Sequence, residues 1–180
     1  MNSVLTLLFA PSFLVLIQYF SFELIVLIYI VLSLVVLIYA YIKKKKAEDF
    51  VIITIYLVLL SIAYFTSSFQ SVKFIPVFSA MTFFTIFAYG SMHKKELIFK
   101  FTKKFYKKDL GEAEILFLKE GDRFWAIAIL IYAIFLLTLV YNADDKLWAF
   151  FSSVGWYIYF VLTLTIQIIY GKFYAIKMYS

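Results

Sequence analysis

Apolar residues fill this chain in long blocks, and polar residues gather in short gaps between them. The blocks run from about Val4 to Phe20, Leu24 to Ile42, Phe50 to Phe65, Phe74 to Met92, Phe124 to Tyr141 and Leu147 to Tyr170. Several reach the roughly 18–20 residues that carry a helix across a bilayer. The pattern predicts an all-α polytopic membrane helical bundle of about six spans, forming a single integral membrane domain over residues 1–180. The first two blocks are barely separated. The first contains Pro11, and only Gln18 to Glu23 separates it from the second. A carboxylate at the bilayer centre costs at least about 2.5 kcal/mol, so Glu23 favours a break there. The first block is then short, tilted or re-entrant, and five spans remain if it is re-entrant.

One gap is long. Residues 93–123 form a polar loop, and within it residues 95–108 read KELIFKFTKKFYKK. On a wheel of 100° per residue, Leu97, Ile98, Phe101 and Phe105 fall within about 100° of one another. Phe99 and Tyr106 flank that face. Lys100, Lys103, Lys104 and Lys107 lie on the other side, and Lys108 falls about 20° from Leu97, within the apolar arc. One apolar and one basic face describe a helix lying in the membrane interface, rings sunk and lysines toward anionic headgroups. A surface reading nucleic acid would present aromatics and charges together; here they are mostly separated, and no nucleic acid is expected. Docking of a protein partner is the other reading that the pattern leaves open. After Lys108 the acidic stretch around Gly111 predicts a break, and Ile115 to Glu120 a short helix leading into the fifth block.

Lysine placement sets orientation. Of the seventeen Lys and Arg residues, all but Lys73 and Lys146 fall on one side of the six-span pattern. Positively charged loops stay cytoplasmic. The lysine-rich side, with both termini, is therefore expected in the cytoplasm, and the loop around Asp144 and Asp145 outside.

Composition agrees. The chain of 180 residues is 65% hydrophobic and 22% aromatic, against roughly 45–50% apolar in an ordinary soluble domain. A soluble fold has no interior for such an excess. With no cysteine, disulfides and thiolate metal sites are excluded. The N-terminus lacks a basic region before its apolar run, so a cleavable signal peptide is not expected. Amphipathic rings near block ends, Trp125 and Trp148 among them, are expected at the headgroup level.

Little chemistry stands out. His93 is the single histidine, and a histidine metal site needs further ligands at suitable spacing. Glu23 reads as a loop carboxylate at the outer surface, or else as part of an intramembrane polar path. Gln18 and Gln167, the other polar residues at depth, read as hydrogen-bond partners between helices. Asp122 and Arg123 read as a local ion pair and headgroup anchor. No phosphate-binding loop, nucleophile elbow or zincin motif occurs. Neither catalysis nor a cofactor is expected. A small transporter or lipid-handling accessory protein, and a lipid-modifying enzyme, are the competing classes.

The order Met92-His-Lys-Lys-Glu-Leu-Ile98, Trp125-Ala126 and Trp148-Ala-Phe-Phe-Ser-Ser-Val-Gly155 resembles the inner-membrane intracellular septation protein A family. It also resembles a related group of small bacterial inner-membrane proteins, some linked to lipid or aryl polyene biosynthesis. The spacing from Asp109-Leu110 to Trp125 is similar to that second group. The likeness covers roughly residues 73–178. It departs at Phe150 and Ser152, where more polar residues are usual, and at Asp122, where an asparagine is expected. The resemblance implies a non-enzymatic inner-membrane protein in envelope biogenesis, membrane integrity or division. Its implied partners are lipid headgroups and other envelope proteins.

Overall fold

A computed structural model describes residues 12–43, 47–105 and 111–179; the side chains of 47–49, 52, 105, 172 and 174–179 are outside it. Every element is helical: α1 Phe22–Ile42, α2 Ala47–Thr66, α3 Phe69–Met92, α4 Leu97–Phe105, α5 Glu112–Lys119, α6 Gly121–Asn142, α7 Asp145–Phe150 and α8 Trp156–Tyr179. A π-helical turn, Phe151–Gly155, joins the last two. Four segments are long and apolar enough to cross a membrane: Phe22–Ile42, Phe69–Met92, Gly121–Asn142 and Asp145–Gly171. Ile53–Thr66 is a shorter apolar helix. The block expected from Val4 to Phe20 lies outside the described residues as far as residue 11. Beyond it, 12–16 are helical and 17–19 turn.

The spanning-length segments leave half or more of their apolar windows unburied. Only 22% of the apolar window of α1 is buried. Leu24, Leu27, Ile28, Val31, Val35 and Ile38 are all exposed on it. A helix that is apolar all round and mostly unburied suits a hydrocarbon solvent, where every backbone group is already bonded within the helix. The N-terminus of α1 is capped. The Ser21 hydroxyl accepts from Leu24 N at 3.4 Å, and Glu23 in the first turn complements the helix dipole.

The chain forms two compact units: 1–79 with 133–156, and 80–132 with 157–180. In the first, α1 packs along α2. Its centre is aromatic. Phe13 stacks on Tyr29 and Phe69 at centroid distances of 5.7 and 5.6 Å, and Phe69 meets Trp148 edge-on at 5.6 Å. Pro76, inside α3, has no N–H to give the preceding turn. In that turn Trp148 Nε1 donates to Lys73 O at 3.2 Å. Lys73 Nζ, its side chain nearly buried, pairs with Asp145 at 2.7 Å and lies over the Phe69 ring at 5.4 Å. These are residues from the two gaps expected on the lysine-poor side.

Helices α2 and α3 end alike. Ser68 N donates to Ala63 O and Ser67 N to Tyr64 O; Lys95 N donates to Gly90 O and Lys94 N to Ser91 O. Each is a Schellman closure. The residue that must turn left-handed is Ser67 (φ 48°) in one and Lys94 (φ 48°) in the other, where glycine is usual.

Candidate functional site

The second unit builds a polar centre at the lysine-rich end of α6. Helix α4 begins four residues after α3 ends, and the connection turns left-handed at both Lys94 and Glu96 (φ 54°). Such a tight return leaves the first amides of α4 unpaired within the helix. Asp122, in the first turn of α6, takes them. Its Oδ2 accepts from Leu97 N and its Oδ1 from Ile98 N, both at 2.9 Å. The carboxylate is 1% exposed. A buried anion is tolerable when it is fully hydrogen-bonded, and a helix N-terminus also presents positive dipole to it.

The ion pair expected between Asp122 and Arg123 does not form. Consecutive helical side chains point about 100° apart. Asp122 therefore faces the protein, while Arg123 is exposed.

Two glycines make room for this docking. A Cβ on Gly90 would stand 2.8 Å from Leu97 Cδ1 and 2.9 Å from Asp122 Oδ2. One on Gly121 would stand 2.8 Å from Ile98 Cγ2. The first turn of α4 is thus seated against α3 and α6 where side chains are missing. A third contact ties α4 to α5: Lys119 Nζ reaches Glu96 at 3.3 Å and lies 5.8 Å from the centroid of Phe99.

One turn into α6, Trp125 Nε1 donates to Gln167 Oε1 on α8 at 2.8 Å. Both residues are buried. The Trp125 ring packs against Phe160 at 5.0 Å. Gln167 Nε2 has no hydrogen-bond partner among the described residues. Deeper still, the Tyr159 hydroxyl donates to Ala128 O at 2.7 Å. Interhelical hydrogen bonds of this kind are the polar glue of membrane bundles.

The other residues singled out from sequence scatter. Lys100, Phe101, Lys103 and Lys104 are exposed on α4, with Phe101 64% exposed. Lys107 and the Phe105 side chain lie outside the described residues. Trp125 and Trp148 are 5% and 0% exposed, so both rings face protein, and each indole N–H is used inside its unit. Glu23 and Gln18 are exposed and are not brought to Gln167. His93 is exposed; it stacks on Tyr89 and its Nδ1 is 3.0 Å from Tyr89 O. No group of three or more His, Asp or Glu that would hold a metal occurs among the described residues.

Sequence reasoning missed Asp122 as the anchor of α4. The available signal was an acid at the start of an apolar block, next to Gly121, with a second short helix upstream needing an N-terminal cap. No protein-family model, curated protein or solved structure matches this chain.

Proposed function

We propose that this is a multi-pass protein of a bacterial inner membrane, with its lysine-rich end cytoplasmic, in which α4 lies in the headgroup layer and gathers anionic lipid. In this reading α4 is also the docking surface for other envelope proteins, in the non-enzymatic role in biogenesis, membrane integrity or division that the sequence resemblance implies. The observation that carries it is the Asp122 latch. It pins the first turn of an amphipathic, lysine-bearing helix to the end of a spanning-length helix. In this reading, that end of the helix lies at headgroup depth. The Lys73–Asp145 pair, on the lysine-poor side of the charge pattern, supports the proposed orientation.

Each lysine near an anionic surface contributes about 1 kcal/mol. The chain contains no cysteine, so Phe101→Cys gives a single site for a spin label. In vesicles containing anionic lipid, the label is expected to be shielded from a water-soluble relaxation agent and reached by oxygen. Changing Lys100, Lys103, Lys104 and Lys107 to Gln should reverse that. If the label at 101 is as water-exposed as one at Lys103 in anionic vesicles, α4 is not an interfacial helix.

A further inference from the structure

The Asp122 latch leaves a neighbouring groove unexplained. It has a volume of about 290 Å³ and runs over Gly121. Its apolar wall is Phe117 of α5, Phe124 and Ile127 of α6, and Tyr170 of α8; Glu120 and Arg123 supply its charges. The wall is preformed. The Phe117 ring packs on the backbone of Gly171, where a Cβ would be 2.9 Å away, and lies 5.7 Å from the Tyr170 ring. Gly121 opens one spanning-length segment and Gly171 closes another, so the groove sits where apolar helix surface gives way to charge.

The two charges decide what fits. Glu120 and Arg123 are both exposed, one helical turn apart, and they make no ion pair with each other. Lys119, at the end of α5, pairs with Glu96. Among the described residues, the mouth therefore offers the Glu120 carboxylate and the Arg123 guanidinium above an apolar groove. A guanidinium binds phosphate through paired N–H donors. A carboxylate accepts hydrogen bonds from a primary ammonium, whereas a quaternary ammonium has no N–H to give.

We propose that this groove binds a phospholipid with a phosphoethanolamine headgroup: phosphate on Arg123, ammonium on Glu120, and an acyl chain along Phe124 and Ile127. The inference rests on membrane embedding and not on the lipid contact of α4. A phosphoglycerol headgroup would satisfy Arg123 with the same phosphate and offer Glu120 neutral hydroxyls in place of a cation.

Native mass spectrometry of the detergent-purified protein tests this, using phosphatidylethanolamine, phosphatidylcholine and phosphatidylglycerol of identical acyl chains. The ethanolamine lipid should be retained about tenfold more tightly than either of the others, as one charge-assisted hydrogen bond supplies. Arg123→Gln should weaken all three about tenfold. Glu120→Gln should abolish the preference for ethanolamine without weakening phosphatidylglycerol. Replacing Lys100, Lys103 and Lys104 by Gln should leave these results unchanged, which separates the groove from α4. Equal retention of the three lipids, a preference for phosphatidylglycerol, or an ethanolamine preference that survives both substitutions overturns the proposal.

Discussion

Replacing Asp122 with alanine should unlatch α4 while leaving α6 helical. The carboxylate receives two amide donors, each at 2.9 Å, in a position that is 1% exposed. A hydrogen bond to a charged group contributes about 1.5–3 kcal/mol net. Loss of an N-terminal cap costs about 0.5–2 kcal/mol. These describe one event in two ways and do not add. About 3 kcal/mol is a fair working value, which is a little over a hundredfold in the opening equilibrium of α4. Asp122→Asn keeps one acceptor and turns an NH2 toward the other donor, so it should fall between, at about 1–2 kcal/mol. The assay is amide hydrogen exchange by mass spectrometry in micelles, followed on peptides covering 97–105 and, as an internal control, 124–140. Exchange should accelerate in the first and stay constant in the second. If Asp122→Ala speeds exchange over 97–105 by less than about threefold, the carboxylate does not hold α4. If both peptides accelerate together, its role is global stability instead.

Further substitutions at three places probe the packing: the Trp125–Gln167 pair, the Lys73–Asp145 pair and the two left-handed helix ends. Trp125→Phe leaves Gln167 without its one side-chain partner and should destabilise by about 1–3 kcal/mol in detergent unfolding; adding Gln167→Leu should recover part of that loss, since removing both polar partners is less costly than orphaning one. Asp145→Asn should cost about 1 kcal/mol, because Lys73 is nearly buried while the Asp145 side chain is 54% exposed and screened by solvent; an unchanged midpoint in low salt would show that the pair contributes nothing. Lys94→Gly and Ser67→Gly should each stabilise by about 1 kcal/mol, because both residues hold a left-handed backbone that glycine adopts freely; a drop in melting temperature for either would contradict that account.

The helical character of the chain and its apolar segments of spanning length were legible in sequence because hydrocarbon imposes such a pattern locally. A helix meets its backbone hydrogen bonds within its own segment, so length and apolar composition suffice. The segments long and apolar enough to cross, Phe22–Ile42, Phe69–Met92, Gly121–Asn142 and Asp145–Gly171, follow four of the six blocks read from the pattern; the third block is a shorter apolar helix, Ile53–Thr66, and six spans are not shown among the described residues. The short helix before the fifth block was legible too, and it starts earlier than expected, at Glu112. Gly111 N donates to Glu114 Oε2 at 3.0 Å, which carries the helix back through the acidic stretch.

What the pattern did not contain is which polar atoms meet. Asp122 looked like half of a local ion pair, because Arg123 is its neighbour in the chain. Helix geometry sends the two side chains in different directions, and the return of α4 brings two unpaired amides to the carboxylate. Trp125 and Trp148 looked like interface anchors by residue type, yet both turn inward, toward Gln167 and toward a carbonyl in the turn before Pro76. Residue type states what a side chain can bond. Only the tertiary fold decides which partner, from a distant part of the chain, reaches it first.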